Sequence, residues 1–180
     1  MSLSDPAATA QPAAAAADAA RVAAQLGRVP RAPWRVAVRC CWDRPAVIVS
    51  PSTLADGTPF PNLAWLTCPW LSHLVAAEES AGGAVAFALR AAEEPAFGAA
   101  LIAADATVRS LRAAESGGAD ACAVVGIAGQ RDPLGVKCLH AHAALVLLGV
   151  ADPVGEDVLS RVQRWCHDDR CAGLGSEGSE

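Results

Sequence analysis

The spacing of apolar residues changes at residue 34, and this change limits the folds open to the chain. Residues 34–40 alternate between apolar and polar side chains, which is typical of a half-buried strand. Residues 46–49 form a second apolar run, and the turn at 42–45 would join the two runs as a hairpin. Residues 60–67 favour a third strand. The chain from residue 34 is therefore predicted to begin with a small antiparallel sheet.

Helical spacing dominates after residue 68. Pro69 suits a first helical position, and the helix that it opens should end at Gly82–Gly83. Residues 84–115 should form two helices, because Pro95 interrupts them. Two further helices are predicted, over 137–148 and from Asp152–Pro153 to about residue 166. The predicted fold class is α+β, with about three strands packed by four to six helices.

The length of 180 residues suits a single domain. We expect residues 1–20 to be a disordered Ala-rich tail, residues 21–168 to be one α+β domain, and residues 169–180 to be a disordered tail rich in Gly, Ser and Glu. Alanine nevertheless gives residues 13–26 a high helix propensity, so a short docking helix that ends at Gly27 is also compatible with the sequence.

Composition narrows the classes of function. The net charge of −5 argues against a nucleic-acid partner, because binding phosphates needs a basic face. No apolar run reaches the ~20 residues that cross a bilayer, so no membrane partner is expected. The start of the chain lacks the pattern of a secretory signal, which favours a cytoplasmic location.

Seven cysteines stand out in this composition. None are spaced Cys-x-x-Cys, and their odd number argues against a disulfide framework. Cys40, Cys68 and Cys138 fall at the end of a strand or the start of a helix, where the helix dipole lowers a thiol pKa. Cys122 in an Ala/Val run is expected to be a small buried hydrophobe, and Cys171 a thiol in the tail.

Two histidines follow Cys138 closely. Cys138 and His142 are four residues apart and would share a helix face, whereas His140 would be rotated away by about 200°. With Cys40 and Cys68 these residues could form a Cys3His site for zinc, or a cysteine-ligated iron–sulfur site. Lys137 could hold an anion beside this site. The carboxylates of residues 78–79 and 93–94 are expected on solvated faces.

Three segments together resemble a known family. They are residues 25–28 with Arg39–Cys40, residues 56–61 with Leu66-Thr67-Cys68-Pro69, and residues 136–140 (VKCLH). The chain is similar over about residues 21–162 to the bacterial domain-of-unknown-function family 501. The resemblance implies a small cytoplasmic protein with no established activity. It places the family's cysteines on Cys40, Cys68 and Cys138 and its histidine on His140.

Three functions follow as hypotheses. The first is a Cys/His site that binds zinc or an iron–sulfur cluster, drawn from Cys40, Cys68, Cys138, His140 and His142. The second is an enzyme in which a thiolate of Cys68 or Cys138 attacks a small anionic substrate, with His140 as base and Lys137 holding the anion. The third is a scaffold in which the cysteines only pack. Three sulfurs close to one another would favour the metal site. One cysteine hydrogen-bonded to a histidine would favour the thiol enzyme.

Overall fold

The computed structural model describes residues 12–175, with side chains from residue 15 onward. These residues form six α-helices and one three-stranded sheet, which confirms the α+β class. In chain order the elements are α1 (Pro12–Leu26), β1 (Arg35–Arg39), β2 (Pro45–Val49), β3 (Ala64–Leu66), α2 (Pro69–Ser80), α3 (Gly83–Glu93), α4 (Pro95–Glu115), a short 3-10 turn (Ile127–Gly129), α5 (Leu139–Leu147) and α6 (Pro153–Arg161).

The sheet has the order β1-β2-β3, and both neighbouring pairs are antiparallel. Every residue of the central strand β2 is buried, and Ile48 lies opposite Val36 on one side and Trp65 on the other. Strand β3 has only three residues, fewer than the run 60–67 predicted. Pro61 explains the late start, because a proline has no N–H to give to a ladder.

The main core lies on the sheet face that carries Val47 and Val49. Helices α2, α4, α5 and α6 supply the fully buried side chains opposite, including Leu71, Leu101 and Leu139. Helix α1 contacts β2 separately. The apolar faces of the helices pack against the apolar face of the sheet, and this two-layer arrangement removes both from water.

The segment between α4 and α5 is held by one buried arginine. Arg112 is fully buried and pairs with Asp120 at 2.8 Å. Its guanidinium also donates to the backbone carbonyls of Pro61, Cys122 and Val125. Because a guanidinium offers five donors in a fixed plane, one side chain satisfies carbonyls from two separate loops.

Parts of the two predicted tails contact the rest of the domain among the described residues. Residues 12–20 belong to helix α1, which docks through the buried Val22. At the other end Asp169 pairs with Arg44 at 2.7 Å, and Cys171 is 5% exposed rather than a tail thiol. The rest of the two predicted tails, residues 1–11 and 176–180, lies outside the described residues.

The last two helices are shorter than predicted. Helix α5 begins at Leu139, since Cys138 has the extended φ of −146° and ψ of 109° that mark an N-cap. Helix α6 ends at Arg161, and Val162 is again extended. Within residues 12–175 no helix combines the length and apolar character that crossing a bilayer requires.

Candidate functional site

A glutamate, a cysteine and a histidine meet where α2 packs against the start of α5. Glu79 lies near the end of α2, Cys138 is the N-cap of α5, and His140 lies in its first turn. One ligand atom from each side chain lies within 4.8 Å of the other two. Among the described residues this is the one group of three or more metal-capable side chains that close together.

The backbone at the start of α5 positions the cysteine. The extended conformation of Cys138 turns its side chain back beside the first turn, so that Sγ lies 3.9 Å from Nδ1 of His140. Glu79 accepts a hydrogen bond from the N–H of Leu139, with 2.7 Å between Oε2 and N. A carboxylate from α2 therefore caps a helix whose own N-cap side chain makes no capping bond.

The hydrogen bond of His140 to α2 determines which ring nitrogen faces the group. Nε2 donates to the backbone carbonyl of Ser72 at 3.1 Å, because a carbonyl can only accept. In the neutral ring Nδ1 then carries the lone pair, and it lies 3.5 Å from the carboxylate of Glu79. A histidine that donates through one nitrogen to a carbonyl and offers the other is the usual arrangement of a metal ligand.

The same contacts shift both titrations. Burial raises the pKa of Cys138, but the hydrogen bond with His140 and the nearby N–H of Ala141, which both favour the thiolate, outweigh it, and the pKa falls below its ordinary value. The contact with the Cys138 sulfur raises the pKa of His140, against the opposing effect of burial. Both shifts act toward a thiolate beside an imidazolium, and the thiolate is the form that binds metals or attacks electrophiles.

Comparison with family models matches residues 36–160 to DUF501, a family described as proteins of unknown function. The chain belongs to the DUF501 family. This finding confirms the resemblance seen in the sequence, and the matched range contains Glu79, Cys138 and His140. Comparison with curated proteins and with solved structures gives no match.

The structure separates the cysteines that the DUF501 motifs bring to attention. Cys40 follows β1 and is half-buried, whereas Cys68 is the buried N-cap of α2. Neither is part of the group around Cys138, so the expected convergence of three sulfurs does not occur among the described residues. Burial raises the pKa of Cys68, and the nearby Cys171 and Cys40 add to the effect. A raised pKa favours the neutral thiol.

His142 lies on the opposite side of α5 from the group. It is 1% exposed, and its Nδ1 donates to Oδ2 of Asp152 at 2.7 Å. The predicted pairing of Cys138 with His142 required both residues to be helical. Because Cys138 is an extended N-cap, four-residue spacing does not bring it to His142, and His140 contacts it instead.

Lys137 and Glu79 flank the Cys138–His140 pair in this DUF501 member. Lys137 is exposed and directly precedes Cys138. Glu79 was expected on a solvated face, yet its side chain is only 34% exposed and faces α5. The contact between Glu79 and Leu139 joins residues far apart in the chain, so no local pattern in the sequence marks Glu79.

Proposed function

We propose that this protein binds a divalent transition metal through Glu79, Cys138 and His140, and that the metal is zinc. The observation that carries the proposal is the approach of a carboxylate oxygen, a sulfur and a ring nitrogen to within 4.8 Å. Zinc accepts all three ligand types in tetrahedral geometry. The group contains a single cysteine, which does not suit an iron–sulfur cluster held by several thiolates.

Three protein ligands leave one tetrahedral position for water or substrate. Zinc sites with three ligands and an open position are the catalytic kind, whereas structural sites use four. The N–H of Leu139 and the carbonyl of Ser72 would hold Glu79 and His140 in orientation, as outer partners do at known metal sites. A zinc ion bound by these three residues would therefore be reactive, because one of its positions stays open.

Metal analysis of anaerobically purified protein, followed by titration of the metal-free form with Zn2+ and Co2+, tests this. We expect one equivalent per chain and a thiolate-to-cobalt charge-transfer band. Cys138→Ser, His140→Gln and Glu79→Gln should each weaken binding by about tenfold or more.

The matched controls are Cys68→Ala, His73→Gln and Glu78→Gln, which change the same residue types outside the group. They should bind metal as the unaltered protein does. Loss of metal from Cys68→Ala but not from Cys138→Ser would show that the group is misassigned, and a folded protein that takes up no metal would refute the proposal.

A second candidate, a thiol-dependent enzyme, is favoured by the 3.9 Å contact between Cys138 and His140. The Cys138 thiolate would attack an electrophilic carbon and expel an anion, while the exposed Lys137 attracts an anionic substrate. Metal-free protein would then react faster with iodoacetate than with iodoacetamide, and Lys137→Gln would remove that preference. An equal loss of both rates in Lys137→Gln would contradict the role of the lysine.

The third candidate, a scaffold with packing cysteines, predicts neither metal uptake nor a reactive thiol.

We also propose that this protein is bacterial and cytoplasmic. All seven cysteines are free thiols, which suits a reducing compartment. Fractionation of expressing cells tests the location, and recovery from the periplasm would contradict it.

A further inference from the structure

The sheet has a second face, and a cavity lies against it. Ile48 points away from the Val47 and Val49 face, because successive side chains of a strand alternate. Trp65 lies directly across from Ile48 on the neighbouring strand. The segment after α1 crosses over this face and leaves a cavity of about 360 Å3. A volume in this range fits a small organic molecule.

The lining divides into an apolar part and a charged part. Ile48, Phe60 and Trp65 are apolar, and Ser50 is a nearly buried polar residue among them. Phe60 and Trp65 stack with ring centres 5.7 Å apart and an angle of 9°. This pair offers flat aromatic surface to a ligand.

Two arginines supply the charge. Arg28 and Arg31 both line the cavity and are exposed at its rim. The guanidinium carbon of Arg28 lies 5.3 Å from the ring centre of Trp65, so the charge is held directly over the aromatic surface. Hydrogen bonds from Thr58, including one from its N–H at 2.9 Å, lower the pKa of Asp56, and the charge of Arg31 contributes to the same shift.

We propose that this cavity binds a small organic anion with a flat aromatic body. The body would pack on Trp65 and Phe60, and the acidic group would pair with Arg28 and Arg31, whose planar guanidinium groups match the oxygens of a carboxylate, phosphate or sulfonate. Charge complementarity identifies the occupant, since the mouth is positive in a chain of net charge −5. The site uses none of Glu79, Cys138 and His140.

A pair of fluorescent probes tests the proposal on the full chain. Anilinonaphthalene sulfonate carries the aromatic body and the anion, and N-phenyl-1-naphthylamine has the same body without the anion. We expect one sulfonate probe per chain. Arg28→Gln combined with Arg31→Gln should weaken sulfonate binding by at least about tenfold, the loss expected for one charge-assisted hydrogen bond, and should leave the neutral probe unaffected.

Two further variants complete the design. Arg164→Gln removes one exposed arginine outside the cavity and should change neither affinity. Trp65→Leu should weaken both probes, with circular dichroism to verify folding. Unchanged sulfonate binding in the double arginine variant overturns the proposal. So does an affinity that falls as protein concentration rises, because a second copy of the chain would then occupy the face.

Discussion

Glu79 accepts a hydrogen bond from the backbone N–H of Leu139, with 2.7 Å between the carboxylate oxygen and the nitrogen. The bond connects the end of α2 to the start of α5, where the side chain of the N-cap residue Cys138 makes no capping bond. The same carboxylate lies 3.5 Å from Nδ1 of His140. One side chain therefore contributes both to the stability of α5 and to the candidate metal site.

Replacing Glu79 should separate these two roles. Glu79→Ala removes the helix cap and should lower the free energy of unfolding by about 1 kcal/mol, as other caps do. Glu79→Gln keeps an acceptor oxygen and should cost less than half as much, although it loses the charge that binds metal. Urea unfolding of the metal-free proteins measures both. Equal destabilisation by the two variants would show that the oxygen does not act as a cap.

The reactivity of Cys138 should persist below the ordinary pH range of a thiol. Its pKa is lowered, so a larger thiolate fraction survives as the pH falls, and His140→Gln should reduce alkylation at neutral pH several-fold. Iodoacetamide labelling of metal-free protein, followed by peptide mass spectrometry, gives the pH profile. Cys68, whose pKa burial raises, is the internal control and should label slowly. An identical pH profile of Cys138 labelling in the unaltered protein and in His140→Gln would show that His140 does not lower the pKa of Cys138.

Asp152 should be more important for stability than for metal binding. Its Oδ1 accepts from the N–H of Gly155 at 2.9 Å and its Oδ2 from the buried His142. Asp152→Ala would remove a helix cap and leave a buried ring N–H without an acceptor, at a combined cost of about 2–4 kcal/mol. Thermal unfolding measures the loss. Asp168→Ala, an exposed aspartate, is the control and should change stability by less than about 0.5 kcal/mol.

Arg112 should be the most sensitive charged position. Arg112→Met would leave Asp120 without its charged partner and several buried carbonyls without donors, and breaking such a pair costs about 3–5 kcal/mol. Arg112→Lys keeps the charge but not the planar fork of donors, so it should recover only part of the loss. The measurement is urea unfolding, with the exposed Arg164→Met as control. A loss below about 1 kcal/mol in Arg112→Met would contradict this role.

Acid should destabilise the fold through Asp120 and Asp169. Burial raises the pKa of Asp120, but the hydrogen bonds from Arg112 and from the N–H of Cys122 outweigh it. The Arg44 hydrogen bond lowers the pKa of Asp169. Their stabilisation is present above the unfolded pKa of about 3.9 and is lost as the pH falls through the lower folded values.

Unfolding free energies measured from about pH 5 down to about pH 2 should therefore decrease. Asp169→Asn cannot titrate, so its stability should fall less steeply over the same range. Parallel curves for Asp169→Asn and the unaltered protein would show that the Arg44 contact contributes nothing to the acid response.

Most of the fold could be predicted from the sequence, because the periodicity of apolar residues and the positions of prolines and glycines depend only on neighbouring residues. Alternation at 34–40 and the prolines at 69, 95 and 153 correctly predicted a strand and three helix starts. The start of α5 was missed by two residues. That error changed the assumed face of Cys138, since the pairing with His142 depended on a helical Cys138.

The candidate site was accessible only in part. Cys138 and His140 are neighbours in the chain, and the VKCLH motif carries both. Cys40 and Cys68 share the position at element ends that drew attention to Cys138, but they do not reach its group. Sequence position can predict that a side chain lies at the end of a helix or strand. It does not predict which distant residues that side chain will contact in the folded protein.

The sequence by itself determined the α+β class, the main helix starts and the presence of a cysteine–histidine pair, because each depends on spacings of a few residues. Tertiary structure alone decided that Glu79 joins this pair, that Cys171 is buried, and that Arg28 stands over Trp65. Each of these contacts joins segments far apart in the chain. Their formation depends on how the helices and the sheet pack together, which no local pattern encodes.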